Sequence, residues 1–171
     1  MAPHLVYLAN SSALKVGITK PSQLPTRWLD QGATQAVPLL DVDSRLQSGL
    51  VEDTLRATLS DRTSWQAMLK GEAEAIDLNA RRAEVLAEFA DALNALRAQW
   101  GEGAIRQRHD APRRFHYPVL EYPRKVTSFN LEREPQCTGQ LLGLKGQYLM
   151  LDSGVINLRK YAGYQLTFSS E

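Results

Sequence analysis

Two short β-prone runs open the chain, LVYLA at residues 5–9 and LKVGIT at 14–19, with the polar tripeptide NSS between them. That spacing predicts an antiparallel hairpin. Residues 22–31 predict a short helix, with Pro25 tolerable in its first turn and Gly32 placed as its stop. The apolar run at 36–42 predicts a third strand, and Asp43 and Ser44 then signal the start of a helix over 45–59. A longer helix is expected over 80–100, where Leu86, Phe89, Leu93, Leu96 and Trp100 recur at intervals of three and four. The stripe is too short for a coiled coil, so a core helix or a connector packed on the first sheet is expected.

After Gly101 the pattern changes. Pro112, Pro118, Pro123 and Pro135 punctuate the chain, and β-rich runs at 140–144, 147–151, 155–158 and 164–168 are separated by the turns GLKGQ, DSG and YAGY. These predict a small C-terminal β-barrel or sandwich. The fold class is α+β, divided into residues 1–104, which end in the long helix, and residues 105–171, a basic linker followed by the β module.

Composition fits a globular protein, 43% hydrophobic and 23% charged over 171 residues. No apolar run approaches the ~20 residues that span a bilayer. The start, MAPHLVYL, has no basic n-region, so a cytoplasmic protein without a membrane partner is expected. The single Cys137 excludes an internal disulfide framework and a Cys-rich zinc site, and reads as a buried thiol. The net charge of +1 conceals segregation: residues 106–125 hold six basic side chains against two acidic, and residues 52–102 hold ten acidic against six basic.

Candidate chemistry starts in the hairpin. Tyr7 lies in the first run and Lys15 in the second, just before Gly17, and Arg27 follows a turn later. A phenol, an ammonium and a guanidinium gathered at one mouth suit a phosphate, although the sequence leaves open whether the register puts them on one face. Tyr7 also reads as a core tyrosine with a satisfied hydroxyl. Glu52 stands four residues before Arg56, the order of a surface ion pair, yet Leu55 and Leu59 place it at the border of an apolar face. In RQRHDAPRRFHYP, Arg106, Arg108, Arg113 and Arg114 are interleaved with Phe115, His116 and Tyr117, which suits phosphate contact with base stacking or a solvated linker. His109 and His116 have no ligand set nearby. The β module offers Lys145, Arg159 and Lys160 among Tyr148, Tyr161 and Tyr164, a nucleic-acid-binding composition only by analogy with small barrels.

LVY followed by KVGIT and then Arg27 resembles the signature of the GIY-YIG nuclease superfamily. The resemblance implies a three-stranded antiparallel sheet with flanking helices and a metal-dependent endonuclease. Tyr7 then matches the tyrosine of the first triplet, Gly17 the glycine of the second, Arg27 the arginine that steadies the scissile phosphate, and Glu52 the ligand of one divalent ion, Mg2+ or Mn2+. Lys15 stands where the second tyrosine is usual, as in branches that read KIG or KVG. The region of the asparagine that often closes the site reads DRTSW, offering Thr63 or Ser64. A lysine with its ordinary pKa near ~10.4 is a poor proton acceptor, which leaves Tyr7 as the expected base. More narrowly, KVGITKPSQLPTRWLDQGA with GLKGQYLMLDSGVINLRKYAGY resembles a bacterial family of unestablished activity that couples this domain to a C-terminal β module. Longer relatives there carry a Cys-rich N-terminal segment, which the resemblance implies this chain lacks. The expected function is phosphodiester hydrolysis in DNA or RNA. The alternatives are a non-catalytic DNA- or RNA-binding module on the same scaffold, and a protein-interaction domain.

Overall fold

The hairpin forms as β1 (His4–Asn10) and β2 (Leu14–Thr19) in a computed structural model that describes residues 2–170. β1 is buried along its whole length because β3 (Gln35–Val42) pairs with its other edge. A strand covered on both faces accounts for the unbroken apolar run LVYLA. Its side chains still divide by face. Val6 and Leu8, with Val16 of β2, join the main core against α2 (Arg45–Leu55), α4 (Leu78–Glu88) and α5 (Ala90–Trp100), through Val51, Leu55, Val85, Phe89 and Leu93. Tyr7 points the other way, into a smaller cluster with Trp28, Ala33 and Ala36.

Pro38 interrupts β3 opposite Tyr7, where the register shifts so that Val6 faces Leu40 and Tyr7 faces Pro38. The bulge accommodates a residue with no N–H to give to the ladder. The sheet has five strands, in place of the three expected. β4 (Ile105–Gln107) and β5 (Arg113–Arg114) both pair antiparallel with β3, so part of the basic linker belongs to the first sheet. They cover an edge that would otherwise present free backbone donors and acceptors. Strands of three and two residues are too short to show a period.

The helix expected over 22–31 splits into a 3-10 turn (Pro21–Gln23) and α1 (Thr26–Asp30). Leu24 lies between them in extended backbone, φ −89° and ψ 142°, as a residue preceding proline prefers. Ser44 caps α2 by accepting the Gln47 N–H at 3.2 Å, but α2 stops at Leu55, four residues earlier than expected. The single helix over 80–100 is α4 and α5, divided at Phe89, whose backbone is φ −100° and ψ 13°. A further short helix, α3 (Trp65–Met68), was not expected. No helix among the described residues is long and apolar enough to cross a membrane.

The C-terminal region is an antiparallel meander of β6 (Leu141–Lys145), β7 (Tyr148–Leu151) and β8 (Gly154–Asn157). The fourth run, residues 164–168, is not a strand: a 3-10 turn capped by Asn157 ends the meander, and Tyr164 and Phe168 stay exposed. Cys137 is half-buried beside this small core, less covered than expected. The meander packs on α3, where Met68 and Leu69 meet Met150 and Val155 and the Trp65 ring stacks on Tyr148 at 5.5 Å.

Lys145 corrects the sequence reading. It is completely buried, its Nζ donating to the Gly71 carbonyl at 2.8 Å and lying 4.9 Å from the centre of the Tyr122 ring, so it has no surface to offer a nucleic acid. Burial pushes its pKa down to about 8. Between about pH 8 and the ordinary lysine value near ~10.4 the unfolded chain therefore keeps a proton that the native chain has released, and stability rises with pH. Lys15, also lowered to about 8, adds a second such contribution. Thermal unfolding from pH 8 to 10 should show Tm rising, with about half of the rise lost in Lys145→Met. An equal rise in the variant would place the titration elsewhere. Above ~pH 10 the trend reverses, because burial holds Tyr7 and Tyr117 protonated while the unfolded tyrosines ionise.

Candidate functional site

The register decides what the sequence left open. Tyr7 faces Gly17 and Ala9 faces Lys15, so Tyr7, Gly17 and Lys15 occupy one face of the hairpin. The hydroxyl end of the tyrosine ring sits over the glycine. A Cβ at Gly17 would sit 2.5 Å from the Tyr7 hydroxyl and 2.6 Å from the ring carbon that bears it. Gly17 is thus fixed by side-chain packing across the ladder. Gly17→Ala should cost about 1–3 kcal/mol by overpacking, measured by urea unfolding, and Tyr7→Phe should not rescue it because the ring carbons clash as well. An alanine variant as stable as the parent would mean the ring is free to move aside.

Tyr7 is 1% exposed. Its hydroxyl oxygen accepts a hydrogen bond from Gln31 Nε2 at 2.6 Å, and the Trp28 ring meets its edge at 5.9 Å. Both partners flow from the turn after β2: α1 buries Trp28 beneath the tyrosine and leaves its neighbour Arg27 exposed. Burial raises the Tyr7 pKa, against the opposing pull of the Gln31 hydrogen bond and the Arg27 charge.

Lys15 is 6% exposed at the edge of the sheet, where the Val16 N–H donates to the Ser60 carbonyl at 2.9 Å and holds the segment after α2 alongside β2. That segment brings Asp61 to the site. Burial lowers the Lys15 pKa to about 8, with the Arg27 charge acting in the same direction and Asp61 and Glu52 opposing. Burial thus moves the two groups in opposite senses, the lysine towards neutrality and the tyrosine towards its protonated form. Burial also raises the Glu52 pKa, with Asp61 adding to the rise and Arg45, Arg56 and Arg27 opposing. Arg27 and Glu52 thus act electrostatically on both Tyr7 and Lys15.

Glu52 does not pair with Arg56. Arg56 reaches Asp53 at 3.8 Å and Asp61 at 3.3 Å, and Glu52 forms no ion pair among the described residues. A half-buried carboxylate without a cationic partner suits a hard divalent ion. No group of three or more His, Cys, Asp or Glu side chains gathers among the described residues. Mg2+ keeps most of its waters and takes one or two carboxylates, a demand Glu52 fits, whereas Asp61 is held by Arg56 at 3.3 Å and lies 4.0 Å from Arg62. Thr63 and Ser64 serve the loop instead: the Thr63 hydroxyl bonds that of Ser11 at 2.9 Å, and the Ser64 N–H donates to Ser12 Oγ at 3.0 Å.

The other basic candidates divide. Arg106 pairs with Asp43 at 2.7 Å. Arg108 bridges Asp110 at 2.7 Å and Asp41 at 3.0 Å, which raise its pKa further and neutralise its charge. Arg113 and Arg114 are exposed on β5 with no ion pair among the described residues. Their aromatic neighbours are committed to packing: Phe115 lies 6.0 Å from Trp28, and the Tyr117 hydroxyl donates to the Ala33 carbonyl at 2.8 Å. Arg159 pairs with Asp30 at 3.5 Å, and Lys160 lies over the Tyr161 ring at 5.2 Å.

The family described as Protein of unknown function (DUF2797) matches residues 1–166. The chain belongs to that family. No curated protein and no solved structure matches it. In this DUF2797 chain the sequence reading missed Asp61, Gln31 and Trp28. Asp61 carried a signal, a carboxylate inside the very DRTSW stretch searched for a site residue. Gln31 and Trp28 became partners of Tyr7 only through the turn of α1.

Proposed function

We propose that this DUF2797 chain is a metal-dependent phosphodiesterase of GIY-YIG type that hydrolyses DNA or RNA, with Lys15 as the proton acceptor. The observation that carries the reading is the one-sided register of Tyr7, Gly17 and Lys15, with Arg27 and Glu52 close enough for their charges to act on the lysine. The strands β2, β1 and β3 are the GIY-YIG-like unit of the sheet. The meander resembles a small barrel in that residues 119–128 run from a bridge with Gly143 on β6 to a bridge with Val155 on β8.

In this mechanism Arg27, exposed beside the tyrosine, engages the scissile phosphate through its guanidinium. Glu52 would hold Mg2+ or Mn2+. The ion would neutralise charge on the phosphoryl oxygens and make bound water more acidic. Lys15, neutral in part near pH 8, takes a proton from the attacking water as the water oxygen bonds to phosphorus and the phosphorus–oxygen bond to the leaving group breaks, the leaving oxygen taking its proton from solvent. Tyr7, buried with its hydroxyl held by Gln31, keeps its proton and supports the hairpin face from below without touching the phosphate. A nucleic acid inside the cell is the natural substrate of a cytoplasmic enzyme of this kind.

The test is cleavage of labelled single- and double-stranded DNA and RNA with Mg2+ or Mn2+, binding being scored on the same samples. Metal-dependent cleavage supports the reading. Binding without cleavage under either metal would favour the non-catalytic module, with Lys15 in place of the second tyrosine as the reason. Neither binding nor cleavage would remove both.

A further inference from the structure

Beyond Arg27, away from Tyr7, lies an open groove of about 1080 Å3. Its walls come from distant parts of the chain: the end of β2 and the turn after it, α1, the start of α2, and Arg159 of the C-terminal module. Among the described residues four cations line it, Lys20, Arg27, Arg45 and Arg159, against one carboxylate, that of Asp30. Hydroxyls from Thr19, Ser22, Thr26 and Ser44 stand among them, and among the described residues no Phe, Tyr or Trp belongs to the lining. Cations with hydroxyls are what phosphate and sugar oxygens use, whereas base recognition needs stacking faces or base-edge partners. The free arginines of the linker are elsewhere: β5 pairs with Gln35 and Ala36, at the opposite end of β3 from the groove, which adjoins His4 and Thr19.

We infer that this groove is the track for the nucleic-acid backbone flanking the scissile phosphate, and that Arg159 makes the C-terminal module part of that substrate interface. The inference rests on the phosphodiesterase reading and names the path its substrate takes. Arg27 belongs to both regions, so a strand lying in the groove arrives at the catalytic face. Contact through phosphates alone makes the grip indifferent to sequence and strongly dependent on salt.

The experiment titrates fluorescent single-stranded DNA and RNA oligonucleotides against the full chain over a range of salt concentrations. It compares the parent with Lys20→Ala, Arg45→Ala, Arg159→Ala, Asp30→Asn and the pair Arg113→Ala with Arg114→Ala. Each groove alanine should reduce the slope of log K against log salt by about 0.7–0.9, the loss of one phosphate contact, with the linker pair changing it less than two groove residues together. Asp30→Asn separates a phosphate contact from a merely structural pair. If Arg159 reads phosphate, removing its carboxylate partner frees its charge and tightens binding; if the pair only holds the module in place, Asp30→Asn weakens binding as Arg159→Ala does. Weakening in both, or groove variants that bind like the parent while the parent still binds and cleaves, would overturn the inference and leave the phosphodiesterase reading standing. A parent that binds no nucleic acid would overturn both.

Discussion

Glu52→Gln is expected to reduce Mg2+- or Mn2+-dependent cleavage by at least ~10²–10³-fold, while oligonucleotide affinity stays within about threefold of the parent. Glutamine keeps the size and hydrogen-bonding outline of the side chain but removes the charge that would hold the cation. Because Glu52 forms no ion pair among the described residues, the substitution breaks no salt bridge. Burial penalises the glutamate's charge, with Asp61 adding repulsion, so the neutral variant should unfold at the same Tm or a slightly higher one. A loss of cleavage accompanied by a lower Tm would make the effect structural. Cleavage at the parent rate would remove Glu52 from the site outright.

Much of this arrangement was written in local pattern. The apolar run of β1, the polar turn after it and the Ser44 cap are short-range signals, and each element formed within a few residues of its expected place. What stayed hidden depended on long-range partners. The linker arginines look alike in sequence, yet Arg106 and Arg108 find carboxylates on or beside β3 while Arg113 and Arg114 find none among the described residues. Lys145 sits in an exposed-looking turn of the β module, and only the docking of that module on α3 closes Gly71 and Tyr122 over it. Gly17 was matched only to the glycine of the second triplet, and the reason for a glycine there, a tyrosine ring resting on it, comes from the register. Asp61 reaches the site because the Ser60 carbonyl anchors the segment to the edge of β2, a contact no motif announces.

The same burial that hides Lys15 from view gives it a chemical role that can be told from charge alone by the direction of a pH profile. As the proton acceptor it must be neutral, so the cleavage rate should rise with pH and level off above about 8. As a phosphate contact it must be charged, and the rate would instead fall above that pH. Lys15→Met should lower kcat by ~10²–10⁴-fold, the usual contribution of a positioned base, and should abolish the rising limb. Lys15→Arg supplies the opposite control: an arginine stays charged, so it restores a phosphate contact but cannot take a proton at neutral pH. Activity retained in Lys15→Arg, with a falling limb in the parent, would return the lysine to substrate binding. A rising limb that vanishes in both variants, with binding preserved, would establish that the residue standing in for the second tyrosine does the proton chemistry. Tyr7, held protonated in its buried setting, then serves the site by packing against Gly17 beside the lysine.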